Sequence, residues 1–507
     1  MVMKWSILWR TIVLSTLGKT FYPYCRHLRG LDLRDLSWLL DRLDEPKFRG
    51  KVAKQFFAGD LSRFHILIDT PAKTPAKTRA ARLDIKKILL AVGDEITKRS
   101  PLLEELLEPS TSDVLITALP TWTPRLEHLR ALEFWDGKLL ADETIRNLLH
   151  VHCPNLAHLQ LFLSTDPESD HHLALFINGL QHNNLLTFEN NSTCNIGEET
   201  CMALNNHGRS LFELKLGLEE QGMLALGLLK EMTALKTLHI TSFKQSADLK
   251  ATQNDVFRDI VEWLRGCTML ADVSFDNILS APDLMIPILE EGSAQLRHLS
   301  VTGKEGSLYV LKDHHHFHRA LKHQLKLESL VLRADPEPVS RDDIEILMAT
   351  VTSLKQLKRL DLFRTSDYFS NDQIIQLAQS LPMLETLYIG GYGISDAVLH
   401  SVAHLAHLRS VTFAGITAFT TDGLLDFVNE LPDRQSGLVI AVEMADPDSM
   451  IPEEGQKLIA DSLATKVGGR FEYQPLRGID ALPFIHRPTA DVSIDPNVPE
   501  FDESDSE

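Results

Sequence analysis

The sequence predicts an α/β solenoid with a curved parallel β-sheet on its concave face and helices on its convex face. Three observations predict this class. A six-residue skeleton, Leu-x-x-Leu-x-Leu, recurs along the chain, and its copies follow one another at a mean spacing of about 28 residues. Amphipathic segments with helical spacing lie between the copies. The length of 507 residues exceeds that of most single compact domains, so the chain forms either several domains or an elongated repeat array.

The skeleton defines the predicted strands. In QLKRLDLFR, Leu360 and Leu362 alternate with Asp361, so both leucines point to one face of a short strand and the aspartate points to the other. The central residue of the skeleton falls at eleven positions: Leu132, Leu159, Phe188, Leu214, Leu238, Val273, Leu299, Leu330, Leu360, Leu387 and Val411. A period of roughly 20–29 residues is typical of leucine-rich repeats. The sequence therefore predicts a leucine-rich-repeat horseshoe of about eleven repeats.

The segments that return from one strand to the next predict helices. DDIEILMATV, NDQIIQLAQSL, SDAVLHSVAHL and TDGLLDFVNEL all carry apolar residues three and four positions apart. Four hydroxyl residues stand where N-caps belong, each followed closely by an aspartate: Ser340, Ser370, Ser395 and Thr421. Because one repeat cannot bury its own leucine face, neighbouring repeats must stack on each other.

Composition restricts the classes of function. The chain has 51 basic and 70 acidic residues and a net charge of −19, which repels a phosphate backbone, so no nucleic-acid partner is expected. Five scattered cysteines without a C-x-x-C spacing predict neither a disulfide framework nor a zinc ribbon, and they favour the cytoplasm or the nucleus. Lys4 and Arg10 interrupt the apolar N-terminal stretch, so neither a signal peptide nor membrane attachment is expected.

The N-terminal stretch WSILWRTIVL combines a tryptophan, a Leu-Trp-Arg motif and alternating apolar residues. These features resemble the end of an F-box domain at six positions: Trp5, Leu8, Trp9, Arg10, Ile12 and Leu14. The tract GKTFYPYCRHLRGLDLRDL and the repeat starts GISDAV and TTDGLL add to the likeness. The chain as a whole resembles a filamentous-fungal F-box/leucine-rich-repeat protein with ribonuclease-inhibitor-like repeats. The F-box part of the resemblance covers about a dozen residues at the end of the module.

The resemblance implies a substrate-receptor-like subunit of an SCF-type (Skp1–cullin–F-box) ubiquitin ligase, which binds a protein substrate on its concave face. Skp1 is an implied partner if the remainder of an F-box precedes the matched residues. The residues leave open an alternative of another kind, a ligase-independent scaffold that regulates a protein partner. Both interpretations are non-enzymatic and require no cofactor.

Five segments are predicted along the chain. Residues 1–36 form an F-box remnant and a first strand, 37–120 a non-repeating N-terminal cap with a basic loop at 71–87, and 121–440 the solenoid. Residues 441–480 form a C-terminal cap, and 481–507 form an acidic tail without apolar periodicity, which predicts disorder. Ser504 and Ser506 in this tail are hypothesised phosphate acceptors.

Side chains between and beside the leucines are expected to line the concave face. Aromatic and arginine side chains dominate the energetics of protein interfaces. The predicted partner-binding residues are Arg333, Arg359, Asp361, Phe363, Tyr388, Trp135 and Phe162. For Trp135 and Phe162, packing beneath the N-terminal cap is the alternative.

No catalytic motif is present: the sequence has no G-x-S-x-G, no kinase signature and no H-E-x-x-H. A histidine cluster without a third ligand of defined spacing predicts a solvated helix start and no metal site: His314, His315, His316, His318 and His323. The glycine-rich stretch Gly390 to Asp396 lacks the ending of a phosphate loop and predicts a tight turn from strand to helix.

Overall fold

Parallel strands pair one after another along nearly the whole chain and form a single sheet of sixteen strands. A second, two-stranded parallel sheet lies beside it. The α/β leucine-rich-repeat solenoid predicted from the sequence is confirmed. The structure is a computed structural model and describes residues 1–68, 82–109, 113–192, 194–243, 248–292, 294–304, 306–337, 339–432 and 437–475.

The strands follow the repeats in chain order. Strand β15 pairs only with β16, and β10 pairs with β12 in the small sheet. The strands are β1 (Gly30–Asp32), β2 (Glu105–Leu107), β3 (Ala131–Asp136), β4 (His158–Leu163), β5 (Thr187–Asn190), β6 (Glu213–Leu218), β7 (Thr237–Ser242), β8 (Asp272–Asp276), β9 (His298–Thr302), β10 (Tyr309–Val310), β11 (Ser329–Leu332), β12 (Ala334–Asp335), β13 (Arg359–Asp361), β14 (Thr386–Ile389), β15 (Tyr392–Ser395), β16 (Ser410–Ala418), β17 (Val439–Ala445) and β18 (Arg470–Pro475).

Helices connect successive strands and cover the convex face of the sheet. Among the described residues, no helix combines the length and the apolar composition that crossing a bilayer requires. The helices are α1 (Val2–Thr16), α2 (Leu33–Asp44), α3 (Pro46–Arg49), α4 (Val52–Phe56), α5 (Ile85–Arg99), α6 (Val114–Trp122), α7 (Glu143–His152), α8 (Ser169–Gly179), α9 (Glu198–Leu204), α10 (Glu220–Ala225), α11 (Leu249–Thr252), α12 (Asn254–Gly266), α13 (Ala281–Glu291), α14 (His315–Ala320), α15 (Arg341–Val351), α16 (Asn371–Ser380), α17 (Leu399–Ala403), α18 (Thr421–Glu430) and α19 (Glu453–Val467).

The eleven predicted central residues form one row across the sheet. From Leu132 to Val411, each one pairs in register with the next along adjacent strands. Each is at most 1% exposed, and all belong to one contiguous apolar core. Full burial of an apolar side chain of this size contributes about 1.5–3 kcal/mol. The row, named here the leucine ladder, is therefore the main element that joins the repeats.

The ladder extends beyond the predicted copies at both ends. Leu31 and Leu106 continue it at the N-terminal end, and Ile440 and Phe471 continue it at the C-terminal end. The segment around Leu106 was expected to belong to the non-repeating N-terminal cap, but it forms strand β2. Helix α5 before it ends at Arg99, because Pro101 disfavours helical backbone in the preceding residue, Ser100.

Two of the four predicted N-caps have the expected geometry. Ser340 and Ser370 each cap a helix through a reciprocal capping box. Helix α18 is capped by Thr420, whose hydroxyl oxygen accepts the N–H of Gly423 at 3.0 Å, so the prediction of Thr421 is wrong by one residue. Ser395 precedes a short 3₁₀ turn and makes no capping hydrogen bond through its side chain.

The glycine-rich stretch forms more than the predicted turn. Strand β15 lies within it and pairs with β16, which is nine residues long. A Cβ at Gly415 would lie 2.1 Å from the carbonyl oxygen of Gly391, so the close approach of the two backbones requires glycine. The expected strand-to-helix turn is corrected to an extra edge strand.

Two other predicted segments lie partly or wholly outside the described residues. They are the acidic tail at 481–507, with Ser504 and Ser506, and most of the basic loop at 71–87. The last described elements are β17, α19 and β18, which continue the alternation of strand and helix to residue 475. The final strand pairs in parallel with β17 and covers its edge.

Candidate functional site

The alternation within each strand separates a buried face from a concave surface. In β4, Leu159 and Leu161 are buried, whereas Gln160 is half-buried and Phe162 is 37% exposed. The residues one position after the ladder pair across the sheet and form the central row of this surface: Glu133, Gln160, Glu189, Lys215, His239, Ser274, Ser300, Val331, Asp361, Tyr388 and Thr412. Because these side chains point away from the core, most of them can vary without altering the ladder.

Three of the predicted partner-binding residues come together near the C-terminal end of the concave surface. The guanidinium carbon of Arg333 lies 5.5 Å from the centre of the Phe363 ring, within the range of a cation–π contact. The centre of that ring lies 5.3 Å from the centre of the Tyr388 ring. The Tyr388 hydroxyl donates a 2.7 Å hydrogen bond to Oε2 of Glu443, a residue that sequence reasoning missed. We name Arg333, Phe363 and Tyr388 the arginine–aromatic cluster.

Asp361 and Arg359 occupy different environments beside this cluster. The side chain of Arg359 is 56% exposed, as a partner-binding residue requires. Asp361 is only 5% exposed, and its Oδ1 accepts the backbone N–H of Phe363 at 3.2 Å. Burial raises the pKa of Asp361. The structure therefore differs from the expectation for Asp361, whose carboxylate lies beneath the surface and holds the backbone of Phe363.

Trp135 and Phe162 form a second aromatic site near the N-terminal end of the same surface. Their rings are stacked, with centres 4.0 Å apart and planes 9° from parallel. The backbone N–H of Trp135 is held by Oε2 of Glu108 at 3.0 Å. Both rings remain partly exposed, so the structure places them on the concave surface and not beneath the N-terminal cap. We name them the tryptophan–phenylalanine stack.

Charged side chains lie between the two aromatic sites. The Lys215 ammonium lies 2.7 Å from a carboxylate oxygen of Glu213 and 3.2 Å from one of Glu189. Although burial lowers the pKa of Lys215, the two carboxylates raise it by more. Beside the tryptophan–phenylalanine stack, on the same strand as Trp135, Glu133 pairs with Arg34 at 2.6 Å. Sequence reasoning missed most of these residues, although their positions next to ladder residues in TFEN and ELKL were the available signal.

The histidine cluster is not a uniformly solvated helix start. His318 is fully buried, and its Nε2 lies 3.3 Å from the hydroxyl oxygen of Tyr309. Burial lowers the pKa of His318 to about 3, so its imidazole is neutral. His314 is also largely enclosed and lies 3.7 Å from Asp283. The interpretation as solvated residues is therefore wrong for these two histidines, which are part of the packed structure.

The sheet, its leucine ladder and its covering helices define the class of this protein, a leucine-rich-repeat solenoid. In fold, this protein is similar to one chain of the yeast Rad7–Elc1 complex, with 15% sequence identity and a TM-score of 0.44. The match covers 73% of this protein and 84% of the yeast chain. An internalin of Listeria monocytogenes matches with 14% identity, coverages of 72% and 84%, and a TM-score of 0.36. The ectodomain of the Arabidopsis thaliana receptor kinase GASSHO1/SCHENGEN3 matches with 15% identity, coverages of 70% and 43%, and a TM-score of 0.32.

Neither a protein-family model nor a curated protein matches the chain. Structural likenesses of this degree carry no information about function. The resemblance of the N-terminal residues to an F-box therefore stays a prediction, as does the partner-binding role of the concave residues.

Proposed function

We propose that the chain is a protein-recognition scaffold that binds a partner protein against the concave surface of its sheet. The arginine–aromatic cluster is the observation that carries this proposal. Arginine and aromatic side chains are the residue types that contribute most to protein interfaces, and here they converge from three repeats and remain partly exposed. Asp361 supports the cluster by fixing the backbone of Phe363.

The spacing of the two aromatic sites suggests the shape of the partner. Six strand spacings separate β4, which carries half of the tryptophan–phenylalanine stack, from β11, which precedes Arg333. At about 4.8 Å for each spacing, the two sites lie about 29 Å apart along the sheet. A partner that contacts both must present an elongated surface, such as a helix of about 20 residues.

The charges between the two sites favour a basic segment in the middle of that partner. Glu189 and Glu213 share the single ammonium group of Lys215, which leaves one negative charge uncompensated in this group. A lysine or arginine of the partner placed here would lower the repulsion among these carboxylates.

A double variant, Arg359→Ala with Phe363→Ala, tests the proposed surface. Loss of two central interface side chains is expected to weaken partner capture by at least about tenfold, since such residues each contribute about 2 kcal/mol or more. The matched control is Leu175→Ala with Arg341→Ala, which removes one apolar and one arginine side chain exposed on helices. Quantitative affinity capture from cells should lose specific partners with the first variant and retain them with the control. Identical partner sets for both variants would refute the proposal.

We also propose that this scaffold is the substrate-receptor subunit of an SCF-type ubiquitin ligase. Helix α1, which carries the F-box-like residues, is fixed by the inward side chains of Trp9 and Val13. Its outer side presents Met3, Ile7 and Leu8, which are 43%, 54% and 50% exposed. Neighbouring exposed apolar side chains favour contact with another protein, and the F-box resemblance suggests Skp1.

Co-precipitation separates the ligase from the ligase-independent scaffold. Skp1 and a cullin should be recovered with the full-length protein and lost when Ile7 and Leu8 are both replaced by Glu. Capture of concave-surface partners should persist in that variant, because the two surfaces do not share residues. Recovery of such partners without Skp1 or a cullin would refute the ligase role and favour the scaffold.

A further inference from the structure

Two histidines and a glutamate converge on the helical side of the solenoid, at residues that the proposed partner surface does not use. His400 lies in α17 and His404, four residues later, is the C-cap residue of that helix, so both imidazoles lie on one face of the same turn. Their ring centres are 4.6 Å apart. Glu430, the last residue of α18, comes from the next repeat. One donor atom from each of the three residues lies within 4.8 Å of the other two.

The hydrogen bonds of the two histidines indicate which nitrogen of each ring could bind a metal ion. The Nδ1–H of His404 donates to the carbonyl oxygen of His400 at 2.7 Å, so Nε2 of His404 holds the lone pair. A carbonyl that orients the ring through its second nitrogen is common in metal-binding histidines. The Nδ1–H of His400 donates to Oε2 of Glu430 at 2.9 Å, so a metal ion that replaces this proton would be bound by Nδ1 of His400 and by the Glu430 carboxylate.

We propose that His400, His404 and Glu430 bind a divalent transition-metal ion of the zinc type. Imidazole nitrogens together with one carboxylate suit Zn²⁺, and a water molecule would complete four-coordination. Ligand atoms around Zn²⁺ at about 2.0–2.1 Å lie roughly 3.4 Å from one another. Rotation of the exposed side chains must therefore bring the most widely separated donors, which lie within 4.8 Å of each other, to about this distance. The site is accessible, because the side chains of His400 and Glu430 are 71% and 42% exposed.

The chain contains a natural control for this site. His171 of α8 pairs with Glu199 of α9 at 2.8 Å, in the same way as His400 pairs with Glu430 across two neighbouring helices. The next imidazole, His172, is engaged by Asp166 at 2.6 Å, and this group does not form a three-donor set within the described residues. Loss of His171 should therefore remove a histidine–glutamate pair without removing a metal site.

The buried cysteines do not provide a competing site. Burial raises the pKa values of Cys153, Cys194, Cys201 and Cys267 to about 12, so their thiols stay protonated at neutral pH. Thiolates are the form in which cysteine binds zinc. Zinc bound by the folded chain should accordingly depend on histidine and carboxylate groups.

Titration of the full chain with ZnCl₂, after removal of metal with a chelator, tests the proposal by calorimetry. The wild-type protein and His171→Ala should each bind one equivalent of Zn²⁺ at this site. In His400→Ala and His404→Ala, this equivalent should be absent or bound at least about tenfold more weakly. Mg²⁺, which prefers oxygen ligands, should not occupy the site. Thermal melts of all variants should coincide, because the substituted side chains are exposed.

Three results would overturn the proposal: no Zn²⁺ binding by the wild-type protein, titrations of His400→Ala and His404→Ala that match the wild type, or an equal loss in His171→Ala. Replacement of Glu430 by Gln separates the roles within the site. This variant keeps both imidazoles and should bind Zn²⁺ more weakly than the wild type but more tightly than His404→Ala. The concave surface is intact in all of these variants, so failure of the metal proposal leaves the protein-recognition proposal unaffected.

Discussion

A buried carboxyl group, that of Glu108, makes the stability of the N-terminal repeats depend on pH. Glu108 follows β2 and is 4% exposed. Its Oε1 accepts the N–H of Leu115 in α6 at 2.8 Å, and its Oε2 accepts the N–H of Trp135 in β3 at 3.0 Å. Burial raises the pKa of Glu108 to about 7, although these two donors oppose the effect. One carboxyl group thus joins a strand, a helix and the tryptophan–phenylalanine stack.

The direction and size of the effect follow from the raised pKa of Glu108. An unfolded chain ionises this group near 4.5, whereas the folded chain retains the proton until about pH 7. The folded state therefore binds more protons between these values, and its stabilisation is fully present below pH 4.5 and lost as the pH rises through 7. Each pKa unit corresponds to about 1.4 kcal/mol, so the free energy of unfolding should fall by about 3 kcal/mol across this interval.

The substitution Glu108→Gln removes the ionisation while preserving the size of the side chain. Its amide group loses one of the two hydrogen bonds, but this loss is the same at every pH and cancels when stabilities at two pH values are compared. Urea unfolding at pH 4.5 and pH 8, followed by tryptophan fluorescence, measures the effect, and Trp122 and Trp135 in the adjoining elements contribute to the signal. Relative to the wild type, the variant should gain about 3 kcal/mol between the two pH values.

Glu127→Gln serves as the control, because it makes the same chemical change at a side chain that is 76% exposed. The control should follow the wild type at both pH values. If Glu108→Gln and the wild type lose the same free energy of unfolding between pH 4.5 and pH 8, the buried carboxyl group does not govern this pH dependence.

Two further predictions concern stability. The lowered pKa of His318 implies stabilisation that is present above about pH 6.5 and lost as the pH falls towards 3. Replacing His318 by Leu and its partner Tyr309 by Phe should therefore lower the pH at the midpoint of acid unfolding, measured by circular dichroism. An unchanged midpoint would contradict this prediction. Thr420→Ala should destabilise the protein by about 1 kcal/mol in urea unfolding through loss of the α18 cap, and Thr421→Ala should cost clearly less; equal effects would contradict the assigned cap.

The ladder could be predicted from the sequence because each repeat must bury the same positions. Leu360 and its ten counterparts are constrained by neighbours on both sides, so apolar spacing alone identified them. Strand β2 was missed because it is only three residues long. The position of Thr420 was missed by one residue, since two adjacent threonines satisfy the same N-cap preference and only the backbone geometry distinguishes them.

The candidate surface was predictable only in part, because its contacts join distant parts of the chain. Tyr388 and Glu443 are hydrogen-bonded across 55 residues, and Arg34 pairs with Glu133 across 99. Such contacts depend on strand register and on side-chain direction, and the six-residue repeat motif determines neither. Positions beside the ladder can be read from the sequence, but which of their side chains meet each other cannot.

Asp361 departs from the alternation of buried and exposed side chains along a β-strand. Its position predicts an exposed side chain, yet the carboxylate is buried and burial raises its pKa. Nearby, the buried Nε of Arg333 has no hydrogen-bond partner among the described residues. Both features are unfavourable for folding, since buried polar groups without full compensation destabilise a structure. Formation of the leucine ladder requires neither the buried carboxylate of Asp361 nor the unpaired Nε of Arg333.

Elsewhere on the same surface, polar residues such as Gln160 and Lys215 follow the alternation and remain partly exposed. At Asp361 the departure lies in the repeats in which an arginine and two aromatic rings converge. Local conflict with the rules of folding is expected where a surface is shaped for binding. The burial of the Asp361 carboxylate and of the Arg333 Nε therefore supports the proposal that the arginine–aromatic cluster binds a partner.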